Sequence, residues 1–315
     1  MHKKSAGRDL AGVFFFERGV KLATMELSDQ ARCVADVGAV LGEGPLWVAA
    51  EQALYWVDIK GRKIFRLDRA GDVREWETPF RIGSLAPRLA GGFIAGTERG
   101  FAEVDLDALR FEAFCNPEAE RIDNRFNDGK VDREGRFWAG TMDDSERAAS
   151  GALYRLDPDR KCTRLDDGYR VTNGPAFSPD GRLMYHNDSG RQLTYSFDLD
   201  EAGEPSNRRV FARFGAGDGY PDGMTVDAEG CLWIAFWDGW CVRRLSPSGE
   251  PLETLPLPVQ KPTSCAFGGE ALDRLYITSA SIGISDSDRD AQPCAGGLFV
   301  LETDTSGLAE LPFAG

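Results

Sequence analysis

This sequence predicts an all-β chain folded as a six-bladed β-propeller, on two observations. A hairpin-like unit recurs six times along the 315 residues, and no long segment carries helical periodicity. The clearest copies are VDREGRFWAGT (131–141), FSPDGRLMYHND (177–188) and PDGMTVDAEGCLWIAF (221–236). Looser ones are VAAEQALYWVD (48–58), PRLAGGFIAGTE (87–98) and FGGEALDRLYITS (267–279). The matching positions Tyr55, Phe93, Phe137, Met184, Leu232 and Leu275 lie 38, 44, 47, 48 and 43 residues apart. Strand-like units repeating at that spacing are the signature of propeller blades.

Each unit reads as an inner strand, a turn and a second strand. The inner strands are GPLWV (44–48), SLAPR (84–88), DGKVD (128–132), GPAFS (174–178), GMTVD (223–227) and SCAFG (264–268). A third strand follows each: KIFRLD (63–68), FAEVDLD (101–107), GALYRLD (151–157), LTYSFDLD (193–200), VRRLS (242–246) and GLFVLE (297–302). These runs are short, rich in aromatic and β-branched residues, and bounded by Gly, Asp and Pro. About four strands per blade is the usual pattern. The segment ARCVADVG (31–38) suits the outermost strand of the last blade, where it would close the ring and remove an open sheet edge.

Six blades use nearly the whole chain, so residues 31–315 read as one propeller domain. Residues 1–30 read as a disordered N-terminal extension, and Met25 is a second candidate start. Their apolar piece GVFFFERGVKLA (12–23) is too short and too charged for a membrane span and lacks a cleavage site. A formal net charge of −14 argues against a nucleic-acid partner. Seven scattered cysteines without a CxxC read as reduced thiols in a cytoplasmic protein.

Much chemistry is excluded by what is missing. There are only two histidines, His2 and His186, so no histidine-rich zinc site can form. No serine sits in a GxSxG elbow, and no phosphate loop or EF-hand is present. A catalytic site must therefore use carboxylates, amides and a hard metal ion.

The inner strands supply such a set. The residue just before each is Glu43, Gly83, Asn127, Asn173, Asp222 or Thr263. Equivalent positions on inner strands form a ring at one end of a propeller's channel. Glu43, Asn173 and Asp222 would converge there as two carboxylates and an amide carbonyl, which suits one divalent cation at the centre of the ring. The donor set leaves the ion open among Ca2+, Mg2+, Mn2+, Zn2+ and Fe2+. Gly44, Gly174 and Gly223 beside them suit a close backbone approach. Arg125 is placed to hold a substrate oxygen over the ring, or else to pair with Asp123 or Asp128 at the surface. Asp143, Asp144 and Asp188 are candidates for the rim, and Trp237 and Trp240 for a pocket wall. Trp47, Trp56, Trp138 and Trp233 read as packing between blades.

The stretches GEGPLW, NRFNDGKVDREGRFWAGTM, TNGPAFSPDG, PDGMTVDAEGCLWIA and KPTSCAFGG, in order over residues 35–315, resemble the gluconolactonase/senescence-marker-protein (regucalcin) family. The resemblance implies a six-bladed propeller with one divalent metal at the channel mouth and hydrolysis of sugar lactones. It implies Glu43, Asn173 and Asp222 as ligands, Asp222 as general base, and Arg125 and Asn127 as substrate contacts. Some animal members place a substrate-contacting glutamate three residues after AGTM. That position here is Ser145, with Asp143 and Asp144 before it, so Asp144 is the substrate-contact candidate and the sugar preference stays open. The expected partner is a small sugar lactone of the glucono-, xylono- or arabinonolactone type. The alternatives are a metal-dependent phosphotriesterase or arylesterase, and a calcium-binding propeller without activity.

Overall fold

A computed structural model describes residues 31–315. The expected N-terminal extension and the alternative start at Met25 lie outside the described residues. Six four-stranded antiparallel sheets follow one another, and five of them take their strands in plain sequence order. The sixth is completed by the strand Arg32–Ala35, which pairs with Leu298–Glu302 at its outer edge. The chain's first described strand and its last therefore share a blade, and the ring closes as the segment 31–38 suggested.

Strands are buried on both faces wherever neighbouring blades meet, which explains their near-continuous apolar runs. The six apolar clusters lie one per blade interface. Tyr55 and Trp76 of the first blade pack with Ile82 and Phe93 of the second. Trp47 and Trp56 of the first meet Tyr276 and Leu298 of the sixth across the closing interface. Trp138 and Trp233 are buried, and each donates its indole N–H to an aspartate at the hairpin turn, Asp132 at 2.8 Å and Asp227 at 2.9 Å. All four tryptophans are packing residues. The outermost strands are different: Val73–Glu77 is mostly exposed, and no residue of Arg110–Cys115 is fully buried. The one α-helix among the described residues is a single turn, Asp286–Arg289.

The inner strands run Gly42–Val48, Ile82–Pro87, Asn124–Val131, Thr172–Phe177, Tyr220–Val226 and Pro262–Gly268. Every one of them slips register near its start. In the first blade Glu43 faces Val57, yet Leu46 faces Tyr55, so the inner strand carries one extra residue. The same β-bulge recurs between Ile82 and Ser84, Phe126 and Gly129, Asn173 and Ala176, Pro221 and Met224, and Pro262 and Ser264. A bulge kinks a strand and re-aims a side chain. Here it does so at the six ring positions.

The opposite end of the channel is crossed by the C-terminal segment 303–315. It bridges Asp227 through Gly307 and Arg88 through Phe313. Glu310 accepts from Lys130 Nζ at 3.0 Å, and Ala314 donates to Gly135 O at 2.9 Å. Phe313 is buried in the cluster between the second and third blades. A void of about 20 Å³ remains between this strap and Asp128.

Candidate active site

An open cavity of about 540 Å³ lies at the ring end of the channel. Four of the six ring residues line it: Glu43, Asn127, Asn173 and Asp222. The other two positions cannot contribute. Gly83 has no side chain, and a Cβ there would meet Asn127 O at 2.2 Å. Thr263 turns its hydroxyl to Gly42 O at 2.5 Å. Backbone conformation explains two neighbouring glycines. Gly44 and Gly174 hold φ of 53° and 83°, a left-handed region costly for other residues.

Hydrogen bonds hold the ring amides in orientation. Asn173 donates Nδ2 to Ser189 Oγ at 2.8 Å, and Ser189 in turn donates to Pro221 O at 2.5 Å. This leaves Asn173 Oδ1 facing inward, where it accepts from Asn127 Nδ2 at 3.0 Å. Asn127 Nδ2 also donates to Thr172 O at 2.8 Å. Asn187 fixes the backbone of the base candidate by donating to Asp222 O at 2.6 Å. His186 lies behind Asn173, fully buried, with Nδ1 donating to Asn173 O at 2.8 Å. Burial first, and Arg208 second, push the imidazole down to about 3, so it is a neutral supporting group.

Arg125 is buried in the site, and it pairs with neither Asp123 nor Asp128. Its Nε donates to Asp144 Oδ1 and its Nη1 to Asn127 Oδ1, both at 2.6 Å. Asp144 also accepts from Lys60 Nζ at 2.9 Å and Arg81 Nη1 at 2.7 Å. Burial works to raise its carboxyl, but these three cations outweigh it and hold the group well below the usual carboxylate range. Asp144 thus stands behind the cavity wall rather than on it, and it sets the positions of Lys60 and Arg125. Asp143 accepts from the N–H groups of Ser145, Arg147 and Ala148 and so folds the following loop. The acid which that loop carries into the cavity is Glu146, with φ of 59°, one residue beyond Ser145. Asp188 is buried behind the loop of Arg170, to whose N–H it bonds at 3.2 Å. Trp237 lines the cavity and Trp240 does not.

Charge is concentrated at the ring. Burial, then the charge of Asp128, lifts the Glu43 carboxyl to about 8, against a weaker pull from Gly44 N–H and Arg125. Asp222 is raised well above its usual value by burial, then by Glu43, Asp128 and Glu146. Asp128 is a third buried carboxylate, raised by burial although the N–H groups of Gly174 and Gly129 both donate to it at 2.8 Å. Its Asp-Gly pair reads as an ordinary turn in the sequence, which is why Asp128 escapes a motif search. Lys60, Glu146 and Arg170 also reach the cavity, from loops outside the repeat, and Lys261 does so from two residues before Thr263, the place Arg125 takes before Asn127.

Three acidic groups in one channel repel each other, and a positive charge among them would let them ionise together. The donor set of two carboxylates and an oriented amide oxygen fits a hard divalent cation. A second acidic group, Asp227, Glu229 and Cys231, offers no such opening. Arg244 already bridges Asp227 and Glu229 there.

Residues 41–281 match the SMP-30/Gluconolactonase/LRE-like region. The chain is 38% identical to the 6-deoxy-6-sulfogluconolactonase of Pseudomonas putida over 92% of its own length and all of that protein. It is 35% identical to the regucalcin of Xenopus laevis over 91% of its length and 99% of that protein. Among solved structures it resembles the calcium-binding protein regucalcin of Agrobacterium tumefaciens, with a TM-score of 0.86 and 28% identity. That likeness covers 90% of this chain and 97% of the other. No described helix is long and apolar enough to cross a membrane.

Proposed function

Because the chain belongs to the SMP-30/gluconolactonase/LRE-like family of lactone-hydrolysing enzymes, we propose that it opens aldonolactones to aldonic acids with the help of one divalent cation. The observation that carries this reading is the convergence of Glu43, Asn173 and Asp222 at one end of the channel beside Arg125. The substrates are neutral or substituted lactones of the glucono-, xylono- or arabinonolactone type. The name of the Pseudomonas putida relative adds a gluconolactone modified at C6 to the compounds worth testing.

Glu43, Asn173 and Asp222 would hold the cation. When bound, it supplies electrophilic assistance to the lactone carbonyl. The residues of the chain then divide the remaining work. Asp222 accepts the proton of the attacking water as its oxygen bonds to the carbonyl carbon. The ring C–O bond breaks, and the proton passes to the ring oxygen, which leaves as a hydroxyl. Arg125, fixed by Asp144, presents its free guanidinium edge to the substrate oxygens and steadies negative charge as it develops. Asn127 offers the remaining lone pair of Oδ1 to a sugar hydroxyl. Asp144 acts through Arg125 and Lys60, as a positioning residue.

Nine of the eighteen residues lining the cavity are charged or amide side chains, and those at the ring, Glu43, Asn127, Asn173 and Asp222 beside Arg125, suit the hydroxyls of a sugar better than an aryl ester or phosphotriester. The test is hydrolysis of an aldonolactone panel by chelator-treated protein, with each divalent ion added back and spontaneous opening subtracted. Turnover restored by one ion supports the reading. No turnover above background with any ion overturns it and sends the same samples to aryl esters and organophosphates.

A further inference from the structure

The cavity is rich in cations although the chain carries a formal net charge of −14. Lys60, Arg125, Arg170 and Lys261 line it against the carboxylates Glu43, Glu146 and Asp222. Three of these cations are committed. Lys60 and Arg125 share Asp144, and Lys261 donates to Asp238 Oδ1 at 2.7 Å with its ammonium over the Trp237 ring. Arg170 is the exception: among the described residues its guanidinium has neither a hydrogen-bond nor an ion-pair partner.

The residue is exposed, but its backbone and the root of its side chain are fixed. The backbone N–H of Arg170 is tied to the buried carboxylate of Asp188 at 3.2 Å. Its stem lies on Gly190, where a Cβ would come within 2.8 Å of Arg170 Cβ. Any larger residue at 190 would push the arginine aside. Arg125 is the cation whose charge acts on Glu43. An exposed, unpaired guanidinium on the wall of the substrate cavity is available as a seat for an oxyanion.

We propose that Arg170 forms an anion subsite, and that the preferred lactone carries a sulfonate or phosphate on the part of the sugar remote from the ring carbonyl. This rests on the lactonase reading for its substrate but not for its binding test. The first experiment compares kcat/KM for glucono-δ-lactone with that for its C6-sulfonated and C6-phosphorylated forms, in the wild type and in Arg170→Met. The wild type should favour a charged lactone, and the variant should lose that preference by about tenfold to a hundredfold, mainly through KM. Whichever anion is favoured more identifies the source. The second experiment is calorimetric binding of 6-phosphogluconate, 6-deoxy-6-sulfogluconate and gluconate, which needs no turnover. Tighter binding of a charged acid, lost in Arg170→Met and partly restored in Arg170→Lys, keeps the subsite even if no lactone is opened. Equal binding of the charged and neutral acids, or a preference unchanged in Arg170→Met, overturns it.

Discussion

Arg125 and Asp144 form an ion pair that spans the wall of the cavity: the arginine is buried and the aspartate, 2.6 Å away, stands half-exposed behind it. The same arginine holds Asn127 at 2.6 Å, so one surface carboxylate sets the position of two groups at the ring. Asp144→Asn should therefore lower kcat/KM by about tenfold, chiefly by raising KM. Its melting temperature should fall as well, since the buried guanidinium of Arg125 loses its carboxylate partner. A fall confined to kcat, with KM unchanged, would contradict a positioning role.

Asp222→Asn removes a base and a buried charge at once. Activity should fall by about 10²–10⁴, and cation binding measured by calorimetry should weaken. Chelator-treated Asp222→Asn should melt above chelator-treated wild type, because Glu43 and Asp128 lose a repulsive neighbour. Full activity with intact cation binding would remove Asp222 from the role of base.

Stability should also report the ring through pH. Folding lifts Glu43 from about 4.5 to about 8, so the native state holds a proton that the unfolded chain has released. The stabilisation is whole below about pH 4.5 and is lost as pH rises toward 8, by up to about 1.4 kcal/mol per pH unit for each such proton. Asp222 and Asp128 act with the same sign, and Arg125 opposes them. Urea midpoints of chelator-treated protein should decline from pH 5 to pH 8, and a saturating cation should flatten the decline. A midpoint that rises over that range would show the carboxylates already ionised.

The strap across the far end can be tested by Phe313→Ala. This ring is buried among Phe101, Phe126 and Phe137. Its loss should cost about 3 kcal/mol in urea unfolding. Lys130→Met, which frees Glu310, should cost less. Equal stability of Phe313→Ala and wild type would show that the strap is not part of the folded core.

The propeller is legible because the inner hairpins carry both an apolar run and an Asp/Gly turn at a steady interval. The outermost strands are less so, since Val73–Glu77 buries only Trp76 and no residue of Arg110–Cys115 is fully buried, which leaves a weak apolar pattern to read. The ring is legible for the same reason as the blades: Glu43, Asn127, Asn173 and Asp222 keep one place in the repeat. What hides is whatever departs from it. Lys60 and Arg170 come from connections of different lengths, and only folding brings them to one cavity. Asp144 lies at the expected rim, where Lys60, Arg81 and Arg125 all pair with it. No sequence pattern records that three cations would reach it.

The strap has a kinetic meaning as well. With Glu310 and Phe313 sealing one end, and a void of about 20 Å³ behind Asp128 that holds at most one water, the channel is not a passage. Lactone, water and acid must all use the same doorway. For the lactone hydrolysis proposed above, the product would leave by the mouth through which the next substrate enters, so entry and release would take turns.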